Sequence, residues 1–254
     1  MNYGVIFMIS IIIPTYNSAE ILEENILRIT EFFLGKKKEF ELIIIVDGSS
    51  DESIRILHNL TLKISQLRIV SYTPNRGKGY AILKGFQVSR GQNIAIYDID
   101  MSASLNSLFE LINIQKNEKY DMVLGSRYLT KKRINQSRTR RIFGKSYNLI
   151  MRSIFLLSIR DTQCGCKVFS ERMKNNALSN SYITGFAFDA PMIKEGIKRK
   201  YTYLEVPIEW NQEETSFIMD LVTVAYMGPK MIFDILKYRT CMLQKISLGE
   251  EHEN

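Results

Sequence analysis

Five short apolar runs, each closing on a cluster of polar residues, constrain this chain more than any other feature. Residues 10–13 are continuous in their apolar character and 41–46 nearly so, while 67–72, 93–97 and 120–124 are further β-prone runs. Continuous runs are the mark of strands buried on both faces. Stretches of helical spacing separate them. Leu22, Ile26, Ile29 and Phe33 fall on one helical face with Gly35 as a stop, and Ile54, Leu57 and Leu60 repeat the pattern after the second run. Further helices are expected through Val88 and over residues 105–114. Asn17 followed three residues on by Glu20 predicts a capping box for the first helix. Strands alternating with helices imply an α/β architecture, a mostly parallel sheet flanked by helices.

Sheets of that kind bind ligands outside the carboxyl ends of their strands. The polar clusters all fall there. Asp98 and Asp100 follow the fourth run one residue apart, so both can converge on one ligand. Two adjacent acids repel unless a cation lies between them, and a hard divalent ion, Mg²⁺ or Mn²⁺, bridged to phosphate oxygens is the expected partner. After the third run, Arg76, Gly77, Lys78 and Gly79 form a glycine-flanked basic turn before a helix. It is not a Walker A motif, yet backbone amides and cations at a helix start suit a pyrophosphate.

The composition narrows the partners. A hydrophobic content of 45% over 254 residues is ample for a core. Three cysteines give no disulfide framework, Cys164 and Cys166 being better read as structural than redox-active, and two histidines make a Cys/His zinc site improbable. The net charge of +7 is uneven: from Met122 to Arg160 there are ten basic residues and no acid, so the rest of the chain is net acidic. Such a block calls for phosphate, on lipid, substrate or nucleic acid. Nucleic acid is disfavoured because no recognised binding module is present. Within the block, Arg138, Arg141, Lys145 and Arg152 are assigned to one helical stripe and Phe143, Tyr147, Ile150 and Ile154 to another, as in a helix lying on anionic headgroups. Residues 217–238 offer a second such element or a dimer contact, interrupted at Gly228-Pro229. No run of 18 apolar residues is uninterrupted, and residues 5–13 read as a buried strand and not a leader, so a peripheral, monotopic protein is expected.

The ordered motifs resemble the inverting, GT-A type of family-two glycosyltransferases. They are Ser10-Ile11-Ile12-Ile13-Pro14-Thr15-Tyr16-Asn17, Val46-Asp47-Gly48-Ser49-Ser50-Asp51, Asn75-Arg76-Gly77-Lys78-Gly79 and Asp98-Ile99-Asp100. Gly125-Ser126-Arg127, residues 161–167 (D-T-Q-C-G-C-K), Phe188-Asp189 and residues 205–210 (E-V-P-I-E-W) are similar to the polyprenyl-phosphate branch, its dolichyl-phosphate glucosyl members before its mannosyl ones. The resemblance covers residues 9–240. It implies a GT-A (Rossmann-like) catalytic domain over residues 1–210, with a nucleotide-sugar half (1–125) and an acceptor half (126–210), followed by membrane-associating helices and a polar tail (211–254). Pro14, Tyr16, Asn17, Asp47, Arg76, Gly77, Lys78 and Asp98 are implied as nucleotide-sugar contacts. Asp98 and Asp100 are implied as metal ligands. Arg127, Arg138, Arg141, Gln163 and Lys167 are expected on the acceptor phosphate. Three positions depart from the family: Val46 where an acid is common, Ser102 where mannosyl relatives carry Gln, and residues 215–217, which lack the usual Gly-Ser-Lys.

The implied reaction is transfer of a hexose, glucose before mannose, from UDP-glucose or GDP-mannose to a polyprenyl or dolichyl phosphate on the cytoplasmic leaflet. Such an acceptor is already largely ionised near neutral pH and needs no general base. A glycan hydroxyl would need one, with Asp161 or Asp189 as candidates, so Asp98, Asp100, Asp161 and Asp189 form the expected catalytic set. A catalytically inactive sugar-nucleotide sensor and a homo-oligomer remain open on the sequence.

Overall fold

The computed structural model describes residues 8–129, 134–136, 138–179 and 188–211, with Phe233 and Thr240. The chain runs β1 (Ile9–Thr15), α1 (Ala19–Gly35), β2 (Phe40–Asp47), α2 (Ser53–Thr61), β3 (Leu67–Tyr72), α3 (Lys78–Val88), β4 (Asn93–Ile96), α4 (Leu105–Glu118) and β5 (Met122–Ser126). It continues with β6 (Ile134–Asn135), α5 (Arg138–Phe155), β7 (Lys167–Ser170), α6 (Glu171–Ser179), α7 (Asp189–Lys198), β8 (Tyr203–Pro207) and β9 (Trp210–Asn211). The five expected strands and the helices between them are all present. The expected element over residues 217–238 lies outside the described residues, as does the 211–254 segment apart from Asn211, Phe233 and Thr240.

Seven strands form one sheet in the order β3-β2-β1-β4-β7-β5-β8, and β6 pairs with β9 separately. The sheet is parallel except at β7, which runs antiparallel to both β4 and β5. Residues beyond 126 therefore supply two strands, β7 and β8, to the same sheet as β1 to β5. Side-chain alternation divides the core between the two faces. Ile11, Ile13, Leu42, Ile44 and Val46 pack under α1, α2 and α4, whereas Ile12, Ile43, Ile45, Ile94 and Ile96 pack with residues of α3, α5 and α7. Val46, where relatives often carry an acid, is wholly buried in the first of these clusters.

The capping box does not form. Helix α1 starts at Ala19, and its amide donates to Asp51 Oδ2 at 2.9 Å. Asn17, at a φ of 47°, instead accepts from Ser50 N through Oδ1 at 2.9 Å. The first helix is thus capped from the loop after β2, an interaction across about thirty residues that a local motif cannot reveal.

Candidate active site

The acidic couple stands where the sheet opens. Asp98 follows β4 and Asp100 lies in the turn beyond it. Lys78 begins α3, behind Gly77, whose φ of 91° suits glycine. Helix α3 packs across β1 and β2. Its Nζ donates to Asp98 Oδ1 at 2.6 Å. Burial opposes the Lys78 charge, but Asp98, Asp189 and Asp100 together hold its pKa above the ordinary lysine value. Burial and the neighbouring Asp98 charge push the Asp100 carboxyl up, despite a hydrogen bond from Ser102 N at 3.0 Å. A cation at the couple would relieve that cost.

The donor set fits a hard cation held jointly with a substrate. Asp98 and Asp100 offer only oxygen, and among the described residues no group of three or more His, Cys, Asp or Glu side chains could hold a metal by itself. An ion such as Mg²⁺ or Mn²⁺ would complete its shell with diphosphate oxygens and water.

The remaining nucleotide-side expectations divide. Pro14 is half-buried at the end of β1, and Tyr16 is 53% exposed beside it. Asp47 is buried and turned to its own scaffold: Oδ1 accepts from Arg76 N at 2.7 Å and Oδ2 from Gly77 N at 2.8 Å. Asn75 Nδ2 donates to the Asp47 carbonyl at 2.8 Å. Asp47 therefore fixes the basic turn relative to β2. Arg76 lies over the Tyr80 ring, 4.8 Å from its centroid, and donates to its hydroxyl at 3.0 Å.

On the other flank, Arg127 and Asp161 form a closed pair. Asp161 Oδ2 accepts from Arg127 N at 2.9 Å and Nε at 2.7 Å, while Oδ1 accepts from Arg127 Nη2 at 2.9 Å and Gln163 N at 3.3 Å. Four donors fill the roughly four lone-pair positions of a carboxylate. Burial works against the Asp161 charge, yet the Arg127 charge and hydrogen bonds hold its pKa below the usual range. This geometry argues against the proton-accepting role expected of Asp161, because an enclosed, saturated carboxylate has no site for a substrate proton. The Arg127 guanidinium is directed at Asp161 and lies 4.9 Å from the Trp210 ring centroid.

Lys167, expected on the acceptor phosphate, points inward. It is 1% exposed and donates to Asp189 Oδ1 at 2.5 Å and to the Cys164 carbonyl. Burial raises the Asp189 pKa, against the pull of Lys167 and Lys78. Gln163 is half-buried, with Nε2 donating to Thr162 Oγ1 at 3.3 Å. Arg138 and Arg141 are exposed on α5. Burial pushes the Cys164 thiol up to about 12 and Cys166 well above its ordinary value, which fits a structural role for both.

The two stripes assigned to α5 are redrawn by packing. Met151 and Phe155 are buried, Tyr147 packs against the same cluster, and Arg152 is half-buried. Ile142, Leu149, Ile150 and Ile154 are exposed, alongside Arg138, Arg141 and Lys145. The helix docks on α7 through one apolar edge and leaves a second one outside.

Several residues of the site were not singled out from the sequence. Asn148 on α5 holds the 161–167 loop, its Oδ1 accepting from Thr162 N and Oγ1 at 3.0 Å each. Glu205 accepts from the amides of Arg160 and Asp161 at 2.8 and 3.1 Å. Gly165 lies against Asp98. Gly165 and Glu205 were visible only as letters inside motifs and Asn148 only as a helix residue, with nothing local to name their partners.

The mixed sheet, with its carboxyl-edge acids and basic turn, is an α/β fold of the GT-A class. It is shared with solved structures of glucosyl-3-phosphoglycerate synthase from Mycobacterium tuberculosis. One of these, in complex with Mn²⁺, UDP and glucosyl-3-phosphoglycerate, aligns at a TM-score of 0.66 and 15% identity, over 91% of this chain and 79% of that one. The chain belongs to glycosyl transferase family 2, whose model matches residues 10–176. It is 26% identical over 246 residues to the human dolichyl-phosphate beta-glucosyltransferase, covering 91% of this chain and 76% of that protein. It is 28% identical to the Dictyostelium discoideum protein of the same name, over 82% of this chain and 68% of that one. Against glycosyltransferase AglD of Haloferax volcanii it is 26% identical over 88% of its own length but spans only 36% of the relative.

Proposed function

We propose that the protein transfers a hexose, glucose in the first instance, from a nucleoside-diphosphate sugar to a polyprenyl or dolichyl phosphate, with inversion, at a membrane surface. One observation carries this reading: the ion pair of Lys78 with Asp98, next to an Asp100 carboxyl that burial and the Asp98 charge push up, at the carboxyl edge of a family-two sheet. A diphosphate meets there an ammonium group at the start of α3 and two carboxylates suited to a shared divalent ion. Relatives named dolichyl-phosphate beta-glucosyltransferase and a fold neighbour bound to Mn²⁺ and UDP support the choice of substrates and metal.

Asp98 and Asp100 would hold Mg²⁺ or Mn²⁺, which would supply Lewis-acid neutralisation of the departing phosphate. Among the chain's own groups, Lys78 exchanges part of its contact with Asp98 for the diphosphate. Asp47 holds Arg76 and Gly77 in place for the same charge. Asp161 keeps Arg127 oriented beside Trp210. Lys167 and Asp189 neutralise one another beneath the site, and Asp189 also contributes to the field on Lys78. A phosphate acceptor suits this arrangement better than a hydroxyl, because Asp161 is saturated and Asp189 is already paired with an ammonium. Arg138, Arg141 and Lys145, with Ile142, Leu149 and Ile150, form the face offered to anionic lipid on the cytoplasmic leaflet. No helix among the described residues is long and apolar enough to cross a membrane.

The test supplies radiolabelled UDP-glucose or GDP-mannose with dolichyl phosphate and Mn²⁺, and measures label extracted into organic solvent. Label in lipid from UDP-glucose, lost in Asp100→Asn, is the expected result. Label in water-soluble glycan and none in lipid would instead identify a hydroxyl acceptor. Binding of UDP without transfer to either acceptor would identify a sensor.

A further inference from the structure

We infer that Gly165 is a positioning residue for Asp98, so that the loop preceding β7 sets how tightly the sugar nucleotide is held. This rests on the donor-site reading proposed above. Strand register places the two residues together: β4 and β7 are antiparallel with Ile96 opposite Lys167, and two further steps bring Asp98 opposite Gly165. A Cβ built on Gly165 would stand 1.7 Å from Asp98 Oδ2, 2.4 Å from Cγ and 3.0 Å from Oδ1. All three nearest atoms belong to one carboxyl group. Gly165 is not among the positive-φ glycines, so its backbone suits any residue and the need for glycine is one of space.

The wall is firm because the loop is fastened on both sides of Gly165. Asp161 grips Arg127, Thr162 is held by Asn148, and Lys167 is bound to Asp189. On the opposite side Asp98 meets Lys78 Nζ at 2.6 Å. The carboxylate thus sits between the Gly165 backbone and an ammonium group, and a Cβ at 165 would turn it away from that ammonium group. An alanine at 165 moves carboxylate or loop by more than about 1 Å, a displacement that can cost on the order of a hundredfold in an aligned site.

The experiment uses the full chain as wild type, Gly165→Ala, Asp98→Ala and the double variant. Calorimetry measures binding of UDP and of GDP, each with Mn²⁺; urea unfolding measures stability. Gly165→Ala is expected to weaken nucleotide binding at least about tenfold and to lower kcat/KM for the sugar nucleotide by about a hundredfold. KM for dolichyl phosphate should change less than about threefold, since the Asp161 anchor is untouched. Gly165→Ala should destabilise the wild-type background and leave the Asp98→Ala background unchanged, because the second variant removes the obstructing carboxyl. Equal nucleotide binding by Gly165→Ala and wild type overturns the inference, as does an equal loss of stability in both backgrounds. If Gly165→Ala alone does not fold, a folded double variant supports the contact and an unfolded one overturns it. Wild-type protein that binds neither nucleotide with Mn²⁺ overturns the donor-site reading itself, and Gly165 is then a packing residue only.

Discussion

Asp161→Asn changes the shape of one side chain hardly at all, yet it should be among the most damaging single substitutions in the protein. The carboxylate is 0% exposed and receives four donors, three of them from Arg127. Asparagine retains one acceptor oxygen and turns an amide group toward donors on the other side, while Arg127, with a side chain 11% exposed, keeps its charge without a counter-ion. Breaking one partner of such a buried pair costs about 3–5 kcal/mol. At about 2–4 °C per kcal/mol for a domain of this size, the melting temperature should fall by ~6–20 °C. The pH dependence has a definite sign. The folded-state pKa of Asp161 is held below its ordinary value, by the Arg127 charge and hydrogen bonds against the cost of burial. Its contribution is therefore complete above the unfolded-state pKa of about 3.9 and is lost as pH falls through the lower folded-state value. Urea unfolding of both proteins across pH 7 to 3, with m-values compared, measures it. A loss under about 1 kcal/mol at pH 7, as an exposed pair would give, refutes the reasoning. So does a difference that widens on acidification.

Lys167→Met should cost about 3–5 kcal/mol by stranding the Asp189 carboxylate, and Lys167→Met with Asp189→Leu should recover most of it; chemical denaturation of both variants checks this. Asp100→Asn should leave stability equal or raised by up to about 1 kcal/mol, since it removes one of two repelling acids, while sugar transfer falls at least about a hundredfold; a melting curve beside a lipid-extraction assay separates the two effects. Arg138→Ala, Arg141→Ala and Lys145→Ala together should weaken sedimentation with phosphatidylserine vesicles by about 3 kcal/mol, roughly a hundredfold, and flatten its salt dependence. Ile150→Ser should weaken the same binding without altering that salt slope, as expected for buried apolar area.

What could be read from the sequence is what neighbouring residues decide. The strands β1 and β2 were legible because burial on both faces demands unbroken apolar runs, the edge strand β3 from its β-prone residues, and Asp98 with Asp100 because the couple follows β4. Strand β7 gave no comparable signal: it is four residues long and starts with Lys167, buried only because Asp189, 22 residues on, neutralises it. The same limit hid the cap on α1, the pairing of Lys78 with Asp98, and the inward turn of Arg127 toward Asp161. On α5, helical spacing identified amphipathic character but not which apolar edge meets α7. That choice is made by packing, which turns Tyr147 toward the core and leaves Ile142 and Leu149 on the outer surface.

The reversed strand β7, wedged between β4 and β5, has a consequence for how the chain is built. A ribosome delivers β4 some seventy residues before β7, and until then β4 has a bare edge while β5 has neither of its neighbours, β7 and β8. The nascent product therefore carries an unsealed row of amides and carbonyls through much of its synthesis, an invitation to mispairing between copies. A cut near residue 125 would make that transient condition permanent, because β7 and β8, which complete the sheet around β4 and β5, both lie beyond it.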